Sequence, residues 1–116
     1  MAGTDIRNDS AVVRWFESAH LDELTPEEQN HRLALLADFC DHTGQQPGEL
    51  AAGVLRTTKD GETAISAKKR TAMNTAIDEF VEKSGFSGKD AVINGNIIRS
   101  FLVHNGIFIQ GRAWRG

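Results

Sequence analysis

Three polar side chains with the chemistry of nucleic-acid contacts recur along residues 87–106: Lys89, Asn96 and Arg99. Lysine and arginine donate hydrogen bonds to phosphates, and asparagine and arginine pair with base edges in the major groove. At about 100° per residue of an α-helix, the three side chains fall within roughly 80° of one another. The spacing predicts one helix face that can contact DNA, with Asn96 and Arg99 pointing outward. Ordinary solvated surface residues are the alternative.

The second group of candidate contacts is Lys68-Lys69-Arg70, at the start of a helix predicted over residues 65–84. Cations at a helix N-terminus oppose the helix dipole, which costs about 0.3–1 kcal/mol for each charge. Because three cations at this end lower helix stability, their presence indicates a function. Contact with DNA phosphates is one such function. A solvated, flexible helix start is the alternative interpretation.

Charge is divided unevenly along the chain. Residues 1–65 contain 5 Lys and Arg against 12 Asp and Glu, whereas residues 66–116 contain 8 against 4. The net charge of −3 argues against an indiscriminate nucleic-acid binder. The basic second half nevertheless indicates a nucleic-acid face on one side of the protein.

Metal, redox and hydrolytic chemistry find little support in the sequence. Cys40 is the single cysteine, so an internal disulfide is excluded, and its place on an apolar helix stripe predicts a small core residue. His42 lies two positions further on, where helix side chains point about 200° apart, which disfavours a shared metal ion. No nucleophile–base pair can be proposed, so a hydrolase is disfavoured. We predict no cofactor and no metal site.

Apolar residues at helical spacing predict an all-α domain with four main helices and one short helix. The main helices are expected over residues 11–20, 26–43, 65–84 and 88–104. Residues 45–50 are expected to form a turn that leads into the short helix, which ends at about Leu55. Their N-terminal caps are expected at Asp9 or Ser10, Thr25, Ser66 and Ser87. Residues 56–63 are expected to form a polar loop, and residues 107–109 a short extended run.

The core is expected to hold Trp15, Ile98 and Phe101, which lie on the apolar stripes of the first and last helices. Gly95 stands in the middle of the last helix, where glycine costs about 1 kcal/mol relative to alanine. We therefore expect Gly95 to mark the close approach of another backbone.

Segments of the chain resemble the core-binding domain of tyrosine recombinases, the phage-integrase type, with archaeal integrase-like members closest. Gly85-Phe86-Ser87-Gly88-Lys89, the run from Ile97 to Leu102, and His104-Asn105-Gly106-Ile107 are similar to the last helix of that domain. Residues 39–50 are similar to the end of its second helix. The resemblance covers about residues 28–110. It departs from the family pattern at Asp90, which replaces the usual threonine, and at Gly95.

This resemblance implies a SAM-like bundle that grasps duplex DNA for recombination or integration. Residues 1–110 would be a single core-binding domain, and residues 111–116 an exit linker toward a C-terminal catalytic domain. Residues 1–9 are polar and are expected to be disordered. The helix over residues 26–43 is one that meets DNA in this family, which adds Asn30 and His31 to the candidate contacts. The partners implied are double-stranded DNA, the catalytic domain and other recombinase protomers.

No catalytic residue is expected in this chain, because it has no tyrosine to serve as the nucleophile of such an enzyme. The alternative function is a helical protein–protein interaction module whose basic face contacts an acidic partner, since fold alone does not determine function. The single cysteine, and the lack of a signal peptide or an apolar run long enough to span a membrane, predict a cytoplasmic protein without membrane contact.

Overall fold

The computed structural model describes residues 6–110, which form five α-helices and one β-hairpin. In chain order the elements are α1 (Ser10–Ser18), α2 (Pro26–Thr43), α3 (Pro47–Ala52), β1 (Leu55–Thr57), β2 (Thr63–Ile65), α4 (Ala67–Lys83) and α5 (Gly88–Val103). A 3-10 turn at Leu21–Glu23 joins α1 to α2. The predicted four main helices and one short helix are confirmed, but the domain is mostly helical and not all-α, because it contains the β-hairpin.

Helix starts follow from short polar side chains at the expected positions. Side-chain oxygens of Asp9, Thr25 and Ser66 accept backbone N–H groups at the starts of α1, α2 and α4. These bonds satisfy donors that have no partner within the helix. Ser87 occupies the N-cap position of α5 without such a side-chain bond. Gly44 ends α2 in the left-handed conformation, with φ of 73°.

The β-hairpin corrects the predicted polar loop over residues 56–63. Strands β1 and β2 pair antiparallel, with Leu55 opposite Ile65 and Thr57 opposite Thr63. The ladder continues to the cap of α4, where the Ser66 N–H donates to the Val54 carbonyl at 2.8 Å. Three-residue strands are too short to show an alternating pattern in the sequence. The helix predicted from residue 65 therefore begins after Ser66.

The core draws buried side chains from every helix and confirms the predicted apolar stripes. Trp15, Ile98 and Phe101 are fully buried, and the rings of Trp15 and Phe101 meet edge to face with centroids 5.5 Å apart. Cys40 is buried as expected, and burial, reinforced by neighbouring carboxylates, raises the pKa of its thiol to about 12. The thiol is therefore a protonated core group and not a nucleophile.

Helices α4 and α5 pack antiparallel. Gly95 lies beside Ile77 and Val81 of α4. Arg99, one turn later in α5, bonds Asn74 and Asp78, so its contacts extend further toward the start of α4. The C-terminal end of α5 consequently lies near the N-terminal half of α4. The chain after α5 continues along that half of α4 as residues 107–110.

Residues 107–110 run without regular secondary structure but with alternating burial. Ile107 and Ile109 are buried, whereas Phe108 between them is 75% exposed. The predicted extended run therefore packs as an extended segment on the bundle and forms no strand.

The predicted disorder of residues 1–9 is wrong for the part that the structure describes, because Ile6 is buried in the core and Asp9 caps α1. Residues 1–5 and the predicted linker 111–116 lie outside the described residues. Within residues 6–110, no helix combines the length and the apolar composition that a membrane span requires.

Candidate nucleic-acid interface

Arg99 does not point outward, which corrects the predicted DNA-reading face of α5. Its side chain is 3% exposed and lies between α4 and α5. One guanidinium nitrogen bonds the Asp78 carboxylate at 2.8 Å, another donates to Asn96 at 3.2 Å, and Nε donates to Asn74. Burial of a cation is tolerated because acceptors surround it. Arg99 thus joins two helices and is unavailable to a base edge.

Gly95 explains why the guanidinium fits between the helices. A Cβ atom added there would stand 2.9 Å from an Arg99 nitrogen, and ordinary contact distances from Ile77 and Val81. The predicted approach of another backbone is therefore wrong, since the nearest atoms outside its own helix are side-chain atoms. Glycine in the middle of α5 makes room for Arg99.

Asn96 and Lys89, the other two candidates on α5, have separate surroundings. Asn96 is half-buried and accepts the bond from Arg99. Lys89 is exposed in the first turn of α5, beside the C-terminal end of α4. Because α4 has 17 residues, a helix length of roughly 25 Å separates Lys89 from the cations at the start of α4.

The two candidates on α2 are engaged within the protein. His31 is exposed, but its Nε2 lies 3.1 Å from the side-chain oxygen of Asn94, which is 6% exposed on α5. Asn30 accepts a hydrogen bond from Arg7 at 3.1 Å. Asn94 is next to Gly95, which lies beside Ile77 and Val81 in the second half of α4. The contact between His31 and Asn94 therefore lies nearer to Lys89 than to the start of α4.

Lys68, Lys69 and Arg70 lie together where the first turn of α4 meets the hairpin. Lys69 Nζ donates to the Leu55 carbonyl of β1 at 3.1 Å, and an Arg70 nitrogen donates to the Phe108 carbonyl at 3.3 Å. Two of the three cations therefore also have structural roles. Lys68 is exposed and has no hydrogen-bond or ion-pair partner among the described residues.

The hairpin adds Arg56 and Lys59 to this cluster, two residues that the sequence-based prediction missed. Arg56 is the next residue after Leu55, whose carbonyl Lys69 binds. Lys59 lies in the turn, four residues after Leu55 and therefore at most about 13 Å from it along the chain. Both are exposed and, within residues 6–110, without a polar side-chain partner. The sequence signal that could have indicated them is Asp60-Gly61, a turn between two short segments that pair as a hairpin. We call Arg56, Lys59, Lys68, Lys69 and Arg70 the basic end.

The basic end is a local excess of positive charge on an acidic protein. Residues 55–70 contain five Lys and Arg against two Asp and Glu, whereas residues 6–54 contain three against nine. The excess therefore does not extend over the preceding helices. Phosphates approaching the hairpin side of α4 would meet attraction at that end and repulsion from α1 to α3.

The structure also brings together a serine–histidine pair that the sequence did not indicate. Ser18 Oγ lies 2.7 Å from His104 Nδ1, next to a bond of 2.8 Å between Arg14 and Asn105. A catalytic base needs a third group that orients its ring, and no described carboxylate contacts His104. The pair is exposed and ties the end of α1 to the end of α5.

Residues 6–110 contain no group of three His, Cys, Asp or Glu side chains arranged to hold a metal ion. The basic end is therefore the best candidate for a functional site. Comparison of the chain with protein-family models, with curated proteins and with solved structures finds no match.

Proposed function

We propose that this domain binds double-stranded DNA through its basic end, as the DNA-grasping module of a site-specific tyrosine recombinase. The observation that carries the proposal is the juxtaposition of the hairpin and the first turn of α4, which gathers five cations. Three of them, Arg56, Lys59 and Lys68, are exposed and without partners in the described chain. Exposed cations at one end of the domain suit phosphate contacts.

The recombinase part of the proposal rests on the sequence motifs. A bundle of four main helices and one short helix is compatible with the SAM-like architecture that the resemblance implies. In this reading the covalent chemistry belongs to another domain, because the chain has no tyrosine. The domain would contribute affinity and position while the catalytic domain reads and cuts the site.

Binding by this domain alone should be weak and nearly independent of sequence. Arg99, the predicted base reader, is buried, and the basic end consists of Lys and Arg side chains that suit phosphates. Phosphate contacts orient a protein on the duplex without reading bases. Dissociation constants of about 10⁻⁴–10⁻⁶ M are typical of such binding.

The test is titration of a fluorescent duplex with the 116-residue chain at low and at near-physiological salt. The variant Arg56→Gln/Lys59→Gln/Lys68→Gln removes only cations that make no bonds within residues 6–110. It should bind about tenfold or more weakly, and the slope of log K against log salt should flatten by about 0.9 for each lost phosphate contact. Its melting temperature should equal that of the wild type.

The matched control is Lys83→Gln, an exposed lysine at the opposite end of α4, which should leave binding unchanged. Lys89→Gln, tested separately, shows whether the start of α5 also contacts DNA. The proposal fails if the wild-type chain does not bind duplex DNA even at about 20 mM salt, where such contacts are strongest. It also fails if the triple variant binds as the wild type does.

The competing function is an interaction module that places the same basic end on an acidic protein. The salt slope separates the two, because counterion release from DNA gives a linear dependence that scales with the number of phosphate contacts. Absence of DNA binding, together with capture of an acidic peptide by the basic end, would favour the competing function.

A further inference from the structure

Phe108 is the most exposed large apolar side chain in the described part of the protein. Its exposed fraction is 75%, against 41–45% for Val13, Ile93 and Val103. Ile107 and Ile109 on either side of it are buried, and Arg70 bonds the Phe108 carbonyl at 3.3 Å. The backbone is thus held from both sides, and the aromatic ring is left facing solvent next to a cation of the basic end.

A cleft of about 260 Å³ opens at this place, and we call it the Phe108 cleft. It is lined by Arg70, Thr71, Asn74, Phe108, Ile109 and Gln110. This volume is below the roughly 300–1,000 Å³ of pockets for drug-sized ligands and suits one planar heterocycle. The cleft is half open, so a group could enter it from the solvent side.

The donors in the cleft are of the kind that bind base edges. Arg70 has five N–H donors, and only one of its nitrogens is bonded to another described residue. The Thr71 hydroxyl is exposed and is not engaged within the described chain. Asn74 is held through both polar atoms of its side chain, because Oδ1 accepts from Arg99 and Nδ2 donates to the Gln110 carbonyl. The wall is therefore fixed while Arg70 and Thr71 stay available.

We propose that the Phe108 cleft takes up a single unpaired nucleobase of DNA bound at the basic end. Phe108 would stack on the base, and Arg70 and Thr71 would bond its edge. This inference rests on the proposed function and deepens it, because it names DNA with a locally unpaired strand as the preferred ligand. Aromatic side chains beside cationic grooves stack on bases regardless of sequence, since every base presents a π-face.

A nucleobase fits this position better than a protein surface does. The central part of a protein interface is a contiguous, largely apolar patch, whereas Phe108 stands among Arg70, Thr71 and Gln110. A base combines an aromatic face with hydrogen-bonding edges, which matches a ring flanked by donors. The fixed backbone of residues 107–109 also limits the ordering that binding would require.

The experiment compares two duplexes of the same sequence, one fully paired and one with a single bulged 2-aminopurine. The wild-type chain should bind the bulged duplex at least about fivefold more tightly, the lower end of what one stacked base contributes. The fluorescence of 2-aminopurine should change on binding, because the base leaves its neighbours in the duplex and stacks on Phe108. Phe108→Ala should abolish both effects and leave affinity for the paired duplex within about twofold.

Two control variants keep the result specific. Phe108→Trp retains a stacking ring and should retain the preference. Ile93→Ala removes another exposed apolar side chain, in the first half of α5, and should change neither duplex affinity. Melting temperatures of all variants show that they fold.

The possible failures are distinguishable. Equal wild-type affinity for the two duplexes overturns this inference and leaves the proposed function standing. Loss of binding to both duplexes in Phe108→Ala means that the ring contacts paired DNA, and it overturns the inference. Self-association that depends on Phe108, seen by sedimentation, with an unchanged duplex preference would assign the ring to a protein contact. No wild-type binding to either duplex overturns the proposed function and this inference together.

Discussion

At the scale of single residues, Arg99 shows how a polar side chain at the edge of an apolar stripe can be structural. Its guanidinium is enclosed by the side-chain oxygens of Asn74, Asp78 and Asn96. Replacement of Arg99 should therefore reduce stability and leave DNA affinity nearly unchanged. This expectation is the reverse of the one that the helical wheel favours, because the wheel contains no information about α4.

Gly95 provides the sharpest test of this arrangement. In the wild type, Gly95→Ala gains about 1 kcal/mol of helix propensity but forces a Cβ atom to 2.9 Å from Arg99, and such overpacking costs about 1–3 kcal/mol. We expect a net loss of up to about 2 kcal/mol. In an Arg99→Met background the clash is gone, and the same substitution should stabilise by about 1 kcal/mol.

Urea unfolding followed by circular dichroism measures the four free energies of this double-mutant cycle. Equal effects of Gly95→Ala in the two backgrounds would contradict a direct contact between Gly95 and Arg99.

Asp78 should contribute less to stability than a fully buried partner of Arg99 would, since 43% of its side chain is exposed and water screens the pair.

At the scale of elements, the hairpin is the feature that turns separate cations into a cluster. Its turn depends on Gly61, whose φ of 82° lies in the left-handed region. Thr58 and Glu62 close the turn with backbone bonds, and Ser66 extends the ladder to Val54. Disturbing the turn should therefore displace Arg56 and Lys59 from the start of α4.

Gly61→Ala should destabilise the hairpin by about 1–2 kcal/mol, the cost of the left-handed conformation for a residue with a Cβ atom. Hydrogen exchange at the Thr58 and Ser66 amides measures the loosening, and duplex affinity should fall with it. Gly48→Ala is the matched control, because that glycine lies inside α3 with negative φ and room for a Cβ atom. If Gly61→Ala leaves exchange at Ser66 unchanged, the hairpin does not act as a unit with α4.

At the scale of the whole molecule, one core unites all five helices. Phe101 on α5 packs against Trp15 on α1, and both are fully buried. Because its members come from every helix, this core should be lost in a single cooperative transition.

Phe101→Ala should lower the free energy of unfolding by about 3–5 kcal/mol through the cavity it leaves, a large part of the stability of a small domain. Phe108→Ala is its matched control, since it removes the same side chain from a 75% exposed position and should change stability by less than about 0.5 kcal/mol. Denaturant midpoints of the two variants measure the contrast. Similar losses in both would mean that Phe108 packs on the bundle.

What the sequence determined by itself are the properties that depend on near neighbours in the chain. Helix starts at Thr25 and Ser66, the end of α2 at Gly44, and the buried places of Trp15, Cys40 and Phe101 follow from capping chemistry and from helical spacing. The concentration of positive charge in the second half was also visible, because it is a property of composition.

Tertiary structure alone decided which polar side chains are free. Arg99 and Lys68 are both cations on helices, yet one is bonded to acceptors on α4 and α5 and the other faces solvent. Arg56 joined the basic end only because strand pairing folded the hairpin back to the cap of α4. Periodicity gives the angle of a side chain around its own helix. The burial of Arg99 and its bonds to Asn74 and Asp78 depend on residues more than 20 positions away, which no local pattern contains.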